Sequence, residues 1–81
     1  MERRRSVLLA DANEEFRTML RDAMEETGLF TVELACNGYE VLERIHAHEP
    51  ELLVLDPALP GTDGIRVLRQ RPETKLIASH D

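Results

Sequence analysis

Two short apolar runs, each followed directly by an aspartate, constrain the fold of this chain most. Val7-Leu8-Leu9-Ala10 precedes Asp11, and Leu52-Leu53-Val54-Leu55 precedes Asp56. A continuous apolar run of this length predicts a strand that is buried on both faces, as in the centre of a parallel sheet covered by helices. The sequence therefore predicts two central strands that both end in a carboxylate.

Two amphipathic helix patterns lie between these strands. The first can end at Gly28. Its apolar residues recur at helical spacing and should all be buried. They are Phe16, Met19, Leu20, Ala23 and Met24. The second must stop before Pro50 and carries Val41, Leu42 and Ile45. Asn37-Gly38, just before the second pattern, is typical of a turn.

The remaining segments complete an alternation of strands and helices. Residues 30–35 alternate apolar with polar or small side chains, which predicts a half-exposed strand at a sheet edge. Ile65 and Leu68 suggest a short third helix, and Leu76-Ile77-Ala78 a fourth strand. Such an alternation implies a parallel sheet with helices on both faces and right-handed crossovers. With the half-exposed strand at the edge and the two apolar strands adjacent, the strand order is 2-1-3-4.

In this order the winding direction reverses between strands one and three. Ligands of open α/β sheets bind beyond the carboxyl ends of the strands at such a point, where Asp11 and Asp56 both lie. Paired carboxylates suit Mg²⁺, and a carboxylate can also act as a nucleophile that forms an aspartyl phosphate. The alternative is that Asp11 caps the first helix and Asp56 caps a loop. The spacing alone leaves both interpretations open.

Size and composition predict one small soluble domain over residues 1–81. Apolar residues make up 42% and charged residues 32% of the chain, which is an ordinary globular balance. The excess of 16 acidic over 10 basic residues disfavours direct nucleic-acid binding by this segment, and we assign no function to Arg3-Arg4-Arg5. The apolar runs are too short to cross a membrane. A single cysteine, Cys36, permits no internal disulfide and fits the cytoplasm.

The strand ends resemble the receiver domain of bacterial two-component response regulators. The similarity rests on residues 7–13, on residues 52–56, and on the spacing Asp-x-x-x-Pro-x-x-x-Gly formed by Asp56, Pro60 and Gly64. The chain is most similar to receivers of sporulation-type phosphorelay regulators, in which the first strand ends Ala-Asp-Asp-Asn. The resemblance implies a flavodoxin-like doubly wound α/β sheet, here without the usual fifth strand and last helix.

The resemblance also implies a set of site residues. Asp56 matches the phosphoacceptor, Asp11 the first member of the acidic pair, and Ser79 the hydroxyl that contacts the phosphoryl group. The implied Mg²⁺ ligands are Asp11, Asp56 and the backbone carbonyl of Ala58. The donor is then a phosphohistidine on a histidine kinase or phosphotransfer protein. The resemblance thus implies a signalling module rather than an enzyme.

Three departures from the family pattern weaken this transfer of roles. Ala12 replaces the second acidic residue, so we expect weak Mg²⁺ binding. Pro57 has no N–H and removes the backbone donor nearest Asp56. The family's lysine has no match, since Lys75 precedes the fourth strand. The alternative function is therefore a pseudo-receiver, a protein-interaction module without phosphotransfer. An apolar fourth strand at the sheet edge further suggests pairing with a second copy.

Overall fold

The computed structural model describes residues 3–56, 58, 59 and 75–78, the last four as backbone. They form, in chain order, β1 (Arg5–Ala10), α1 (Glu14–Glu26), β2 (Phe30–Ala35), α2 (Gly38–Ala47), β3 (Leu52–Leu55) and β4 (Lys75–Ala78). The four strands make one sheet in the order β2-β1-β3-β4, and every neighbouring pair is parallel. The predicted α/β fold and strand order are confirmed. The predicted third helix, with Ile65 and Leu68, falls outside the described residues.

The core lies on both faces of the sheet, as a doubly wound fold requires. Alternate residues of β1 point to opposite faces, so that Leu8 belongs to one cluster and Leu9 to another. The first cluster contains Val41 and Ile45 of α2, and the second packs against Leu20 and Met24 of α1. Since Leu8 and Leu9 are at most 1% exposed, β1 is covered from both sides.

The edge position of β2 follows from its side chains. Val32 and Ala35 are buried, whereas Thr31 and Glu33 are exposed. Among the strands that the structure describes, β1 is the one that pairs with it. The prediction of a half-exposed edge strand is thus confirmed.

Both helices begin at an asparagine N-cap, and the cap of α2 lies where the sequence predicted a turn. The Asn13 side chain accepts a hydrogen bond from the Phe16 amide at 3.0 Å. The Asn37 side chain accepts one from the Glu40 amide at 2.8 Å. The Asn37-Gly38 pair therefore begins α2 instead of forming a separate turn, because Asn serves equally well as an N-cap. Gly38 is the first residue of that helix and is buried.

The apolar stripe predicted for α1 is only partly in the core. Leu20 and Met24 pack against the sheet, but Met19 is 60% exposed and Ala23 is exposed as well. The helix has no fully buried residue. Met19 precedes Leu20 by one residue, about 100° around a helix with 3.6 residues per turn. The prediction that Met19 is a core residue is therefore wrong.

Within the part of the chain that the structure describes, neither helix has the length and apolar character that a membrane crossing requires.

Candidate functional site

Asp11 and Asp56 lie next to each other at the carboxyl edge of the sheet. The last register pair of β1 and β3 is Ala10 with Leu55, and each aspartate follows directly. The Asp56 amide donates to the Ala10 carbonyl at 2.9 Å, so the ladder continues to the first atom of this residue. Both side chains are buried, with exposed fractions of 0% for Asp11 and 5% for Asp56. The structure therefore brings together the two carboxylates that the sequence singled out.

Among the described residues, the carboxylate of Asp11 is hydrogen-bonded through one of its two oxygens. Oδ1 accepts a hydrogen bond from the Asn13 amide at 2.8 Å. Oδ2 is buried and has no hydrogen-bond partner in the described structure. Buried polar atoms nearly always have a partner, so this oxygen can accept a further donor or a cation. Because Asn13 caps α1, the alternative role of Asp11 as the helix cap is not observed.

Asp56 combines a strand end with a tight turn. Its Oδ1 accepts a hydrogen bond from the Ala58 amide at 2.9 Å, and its carbonyl accepts one from the Leu59 amide at 3.0 Å. The interpretation of Asp56 as a loop cap is thus correct for one oxygen. Pro57, which lacks an N–H, does not leave the carboxylate without a backbone donor, since the next amide supplies one.

In the described part of the chain, two carboxylates, and not three, lie at the site. No group of three or more His, Cys, Asp or Glu side chains suited to a metal occurs among residues 3–56, 58 and 59. Ala12, where the family pattern has a second acid, is exposed. The predicted site residue Ser79, together with Pro57, Pro60 and Gly64, lies outside the described residues. The role of Ser79 stays a prediction.

The structure adds Arg17, which the sequence reasoning did not single out. Its Nη1 donates to the Asp11 carbonyl at 2.6 Å, in a partly buried contact between α1 and the end of β1. A signal was present in the sequence. Arg17 precedes Leu20 by three residues, so it lies on the helix row that faces the sheet.

Cys36, at the carboxyl end of β2, is paired with α2 through its backbone. Its amide donates to Glu40 Oε1 at 2.8 Å. A side-chain hydrogen bond with the Glu40 carboxylate raises the pKa of the Cys36 thiol. The hydrogen bond from the Cys36 amide lowers the pKa of Glu40. A raised pKa keeps the thiol protonated and poorly nucleophilic at neutral pH.

Comparison with known proteins gives a consistent match. Residues 7–78 match the family described as the response regulator receiver domain. The response regulator MprA of Mycobacterium ulcerans is 41% identical over 68 residues, which cover 84% of this chain and 29% of that protein. The alkaline phosphatase synthesis transcriptional regulatory protein PhoP of Bacillus subtilis is 36% identical over 73 residues, 90% of this chain and 30% of that protein.

A solved structure shares the fold. The signal receiver domain of an HD domain-containing protein from Pseudomonas fluorescens Pf-5 superposes with a TM-score of 0.81 at 26% identity, covering 94% of this chain and 63% of that one. The chain spans less than a third of the length of MprA and of PhoP. The family model covers most of the chain, including both aspartates. This chain belongs to the response regulator receiver domain family.

Proposed function

We propose that this chain is a phosphoryl-accepting receiver module of two-component signalling, with Asp56 as the acceptor. The observation that carries the proposal is the pair of buried carboxylates at the carboxyl ends of β1 and β3, of which Asp11 keeps one oxygen unpaired. A structural pair of aspartates would be expected to satisfy both carboxylates within the protein. Phosphoryl uptake from a small phosphodonor, measured by intact mass, tests the proposal.

The transfer itself needs one nucleophilic oxygen of Asp56. Oδ1 accepts the Ala58 amide, so Oδ2 is the oxygen that attacks the phosphorus. A C–O–P bond forms and the P–N bond of the donor phosphohistidine breaks. The electron pair returns to that nitrogen, and the imidazole leaves neutral with a proton on its other nitrogen. The Ala58 amide holds the carboxylate in a single orientation during attack, a contribution of positioning.

The donor set suits Mg²⁺, which prefers oxygen ligands and keeps several waters. Asp11 Oδ2 is a buried carboxylate oxygen without a partner in the described structure, and Asp56 offers a second carboxylate. These two would hold the ion together with the backbone carbonyl of Ala58. When bound, Mg²⁺ neutralises the negative charge that gathers as a phosphoryl group approaches two carboxylates.

The other roles follow from this assignment. The Ser79 hydroxyl would donate to a phosphoryl oxygen, and the donor would be a histidine kinase or phosphotransfer protein. Each Asp56 accepts one phosphoryl group, so the chain acts as a signalling module and not as an enzyme with turnover. A cytoplasmic location stays a prediction. Membership of the sporulation-type phosphorelay group stays a prediction.

The pseudo-receiver function is the second candidate, and one observation favours it. Ala12 leaves the site one carboxylate short of the family pattern, so that among the described residues two acidic side chains meet at the sheet edge. Weak Mg²⁺ binding would slow phosphoryl uptake. A chain that takes up no phosphoryl group at saturating Mg²⁺ but still binds its partner would favour this function.

Ala12→Asp should strengthen Mg²⁺ binding. Residue 12 is exposed and adjoins Asp11, so a carboxylate there adds an oxygen ligand at the site. We expect an affinity gain of about tenfold, corresponding to about 1.4 kcal/mol. Calorimetric titration of both proteins measures it, and exposed Ala23→Asp serves as the control for added charge. Equal affinities of the wild type and Ala12→Asp would place the ion elsewhere.

The β4 edge offers a second proposed contact, with another copy of this chain. In residues 3–56, 58, 59 and 75–78, β4 pairs with β3 on one side only. A strand edge with free N–H and C=O groups favours pairing with a further strand. We expect the 81-residue chain to self-associate at micromolar concentration, and Ile77→Lys to shift it towards monomer. Size exclusion with light scattering measures this, and a monomeric wild type would contradict the contact.

A further inference from the structure

Arg17 occupies a position where an apolar residue would be expected. It starts the row of α1 that faces the sheet and continues, three and seven residues later, with Leu20 and Met24, which pack in the core. A charged group in such a place costs free energy unless its donors find acceptors. The acceptor here is the Asp11 carbonyl, 2.6 Å from Nη1. The contact therefore accounts for an arginine on this row.

The same hydrogen bond fixes the segment that carries the carboxylate. Asp11 donates its amide to the Ala35 carbonyl at 3.2 Å, the last contact of the β1–β2 ladder. Its own carbonyl lies beyond that ladder and is held by Arg17. Its Oδ1 is held by the Asn13 amide at 2.8 Å. Three contacts thus fix Asp11, and Oδ2 is the one oxygen they leave unpaired.

We propose that Arg17 is a positioning residue for the acidic site, which holds the Asp11 main chain so that the carboxylate keeps Oδ2 available to a cation. This inference rests on the proposed function, since it concerns the same site. Arg17 does not touch the reacting atoms. It acts through the Asp11 peptide, as groups behind metal ligands often do, and their removal typically lowers metal affinity by about 10- to 100-fold.

Arg17→Gln tests the proposal because it removes the guanidinium but keeps a polar side chain. Two readouts are needed. The first is Mg²⁺ affinity, measured in the Ala12→Asp background so that binding is strong enough to titrate. The second is hydrogen exchange of the Asn13 amide, which donates to the Asp11 carboxylate and reports on it directly. We expect affinity to fall about tenfold and the Asn13 amide to exchange at least tenfold faster. Amides of the central strands, such as that of Leu53, should be unchanged.

Arg21→Gln is the matched control, since Arg21 lies one turn further on the same helix and pairs with its neighbour Asp22, at 3.0 Å. Arg17→Lys should restore part of both readouts, because an ammonium group can still donate to the carbonyl. If Arg17→Gln matches Arg21→Gln in both readouts, the proposal is overturned. Faster exchange at every amide would indicate general destabilisation and would also overturn it.

The outcomes separate this proposal from the proposed function. If the wild type takes up no phosphoryl group, the proposed function is refuted. If in the same experiments the Asn13 amide exchanges faster in Arg17→Gln but not in Arg21→Gln, the positioning role is supported. Phosphoryl uptake that is identical in wild type and Arg17→Gln, with unchanged exchange at Asn13, would support the function and refute the positioning role.

Discussion

Asp56→Asn is expected to abolish phosphoryl uptake by this chain. An amide is a far weaker nucleophile than a carboxylate, and its nitrogen cannot replace the Oδ2 that attacks phosphorus. The fold should survive, because Asn keeps the oxygen that accepts the Ala58 amide. Incubation of both proteins with a small phosphodonor and Mg²⁺, followed by intact-mass measurement, should show a gain of one phosphoryl group in the wild type and none in the variant.

Two controls make this result specific. Asp22→Asn removes an exposed carboxylate of α1 and should leave uptake unchanged. Asp11→Asn leaves the acceptor in place but removes the unpaired oxygen, so uptake should be slower and less dependent on Mg²⁺. A mass gain that persists in Asp56→Asn would show that another residue accepts the group and would sink the assignment.

The strands and the site were predictable because both depend on local, strongly patterned sequence. Two short apolar runs that end in aspartate favour central strands of a covered sheet. Their parallel pairing then fixes where Asp11 and Asp56 meet, as the register of Ala10 with Leu55 bears out. The alternation of residues 30–35 likewise placed β2 at the edge.

The hydrogen bonds of the site were not predictable in the same way, because they depend on exact local geometry. Nothing in the spacing says that Asn13 and not Asp11 caps α1, or that Ala58 supplies the amide that Pro57 lacks. Arg17 was missed because amphipathic patterns count apolar residues and pass over a charged one on the sheet-facing row. Its contact with the Asp11 carbonyl is visible only in the structure.

The phase of α1 shows a further limit. Helical periodicity indicated an apolar stripe of five residues. The pattern does not specify which of the five face the sheet. Leu20 and Met24 took that place, and Met19 stayed 60% exposed. Residues with the same place in the sequence pattern therefore differ greatly in burial. They also differ in how much they contribute to the free energy of unfolding.

Leu8→Ala should be among the most destabilising single substitutions in the chain. Leu8 is 1% exposed, lies in the central strand β1 and packs in the cluster that joins the sheet to α2. Truncating a buried leucine typically costs about 2–5 kcal/mol through lost burial and the cavity left behind. A domain of this size has a total stability of roughly 4–12 kcal/mol. Urea unfolding followed by circular dichroism should show a large fall in the midpoint or an unfolded chain.

Met19→Ala is the matched test, because the sequence pattern assigns both residues to the core while the structure separates them. An exposed side chain contributes little burial, and such substitutions usually change stability by less than about 0.5 kcal/mol. The two urea curves should therefore differ in midpoint with similar slopes, since the slope reports the surface exposed on unfolding. If Met19→Ala cost as much as Leu8→Ala, the outer side of α1 would have to be covered in solution. In that case its apolar stripe would be in the core over its full width.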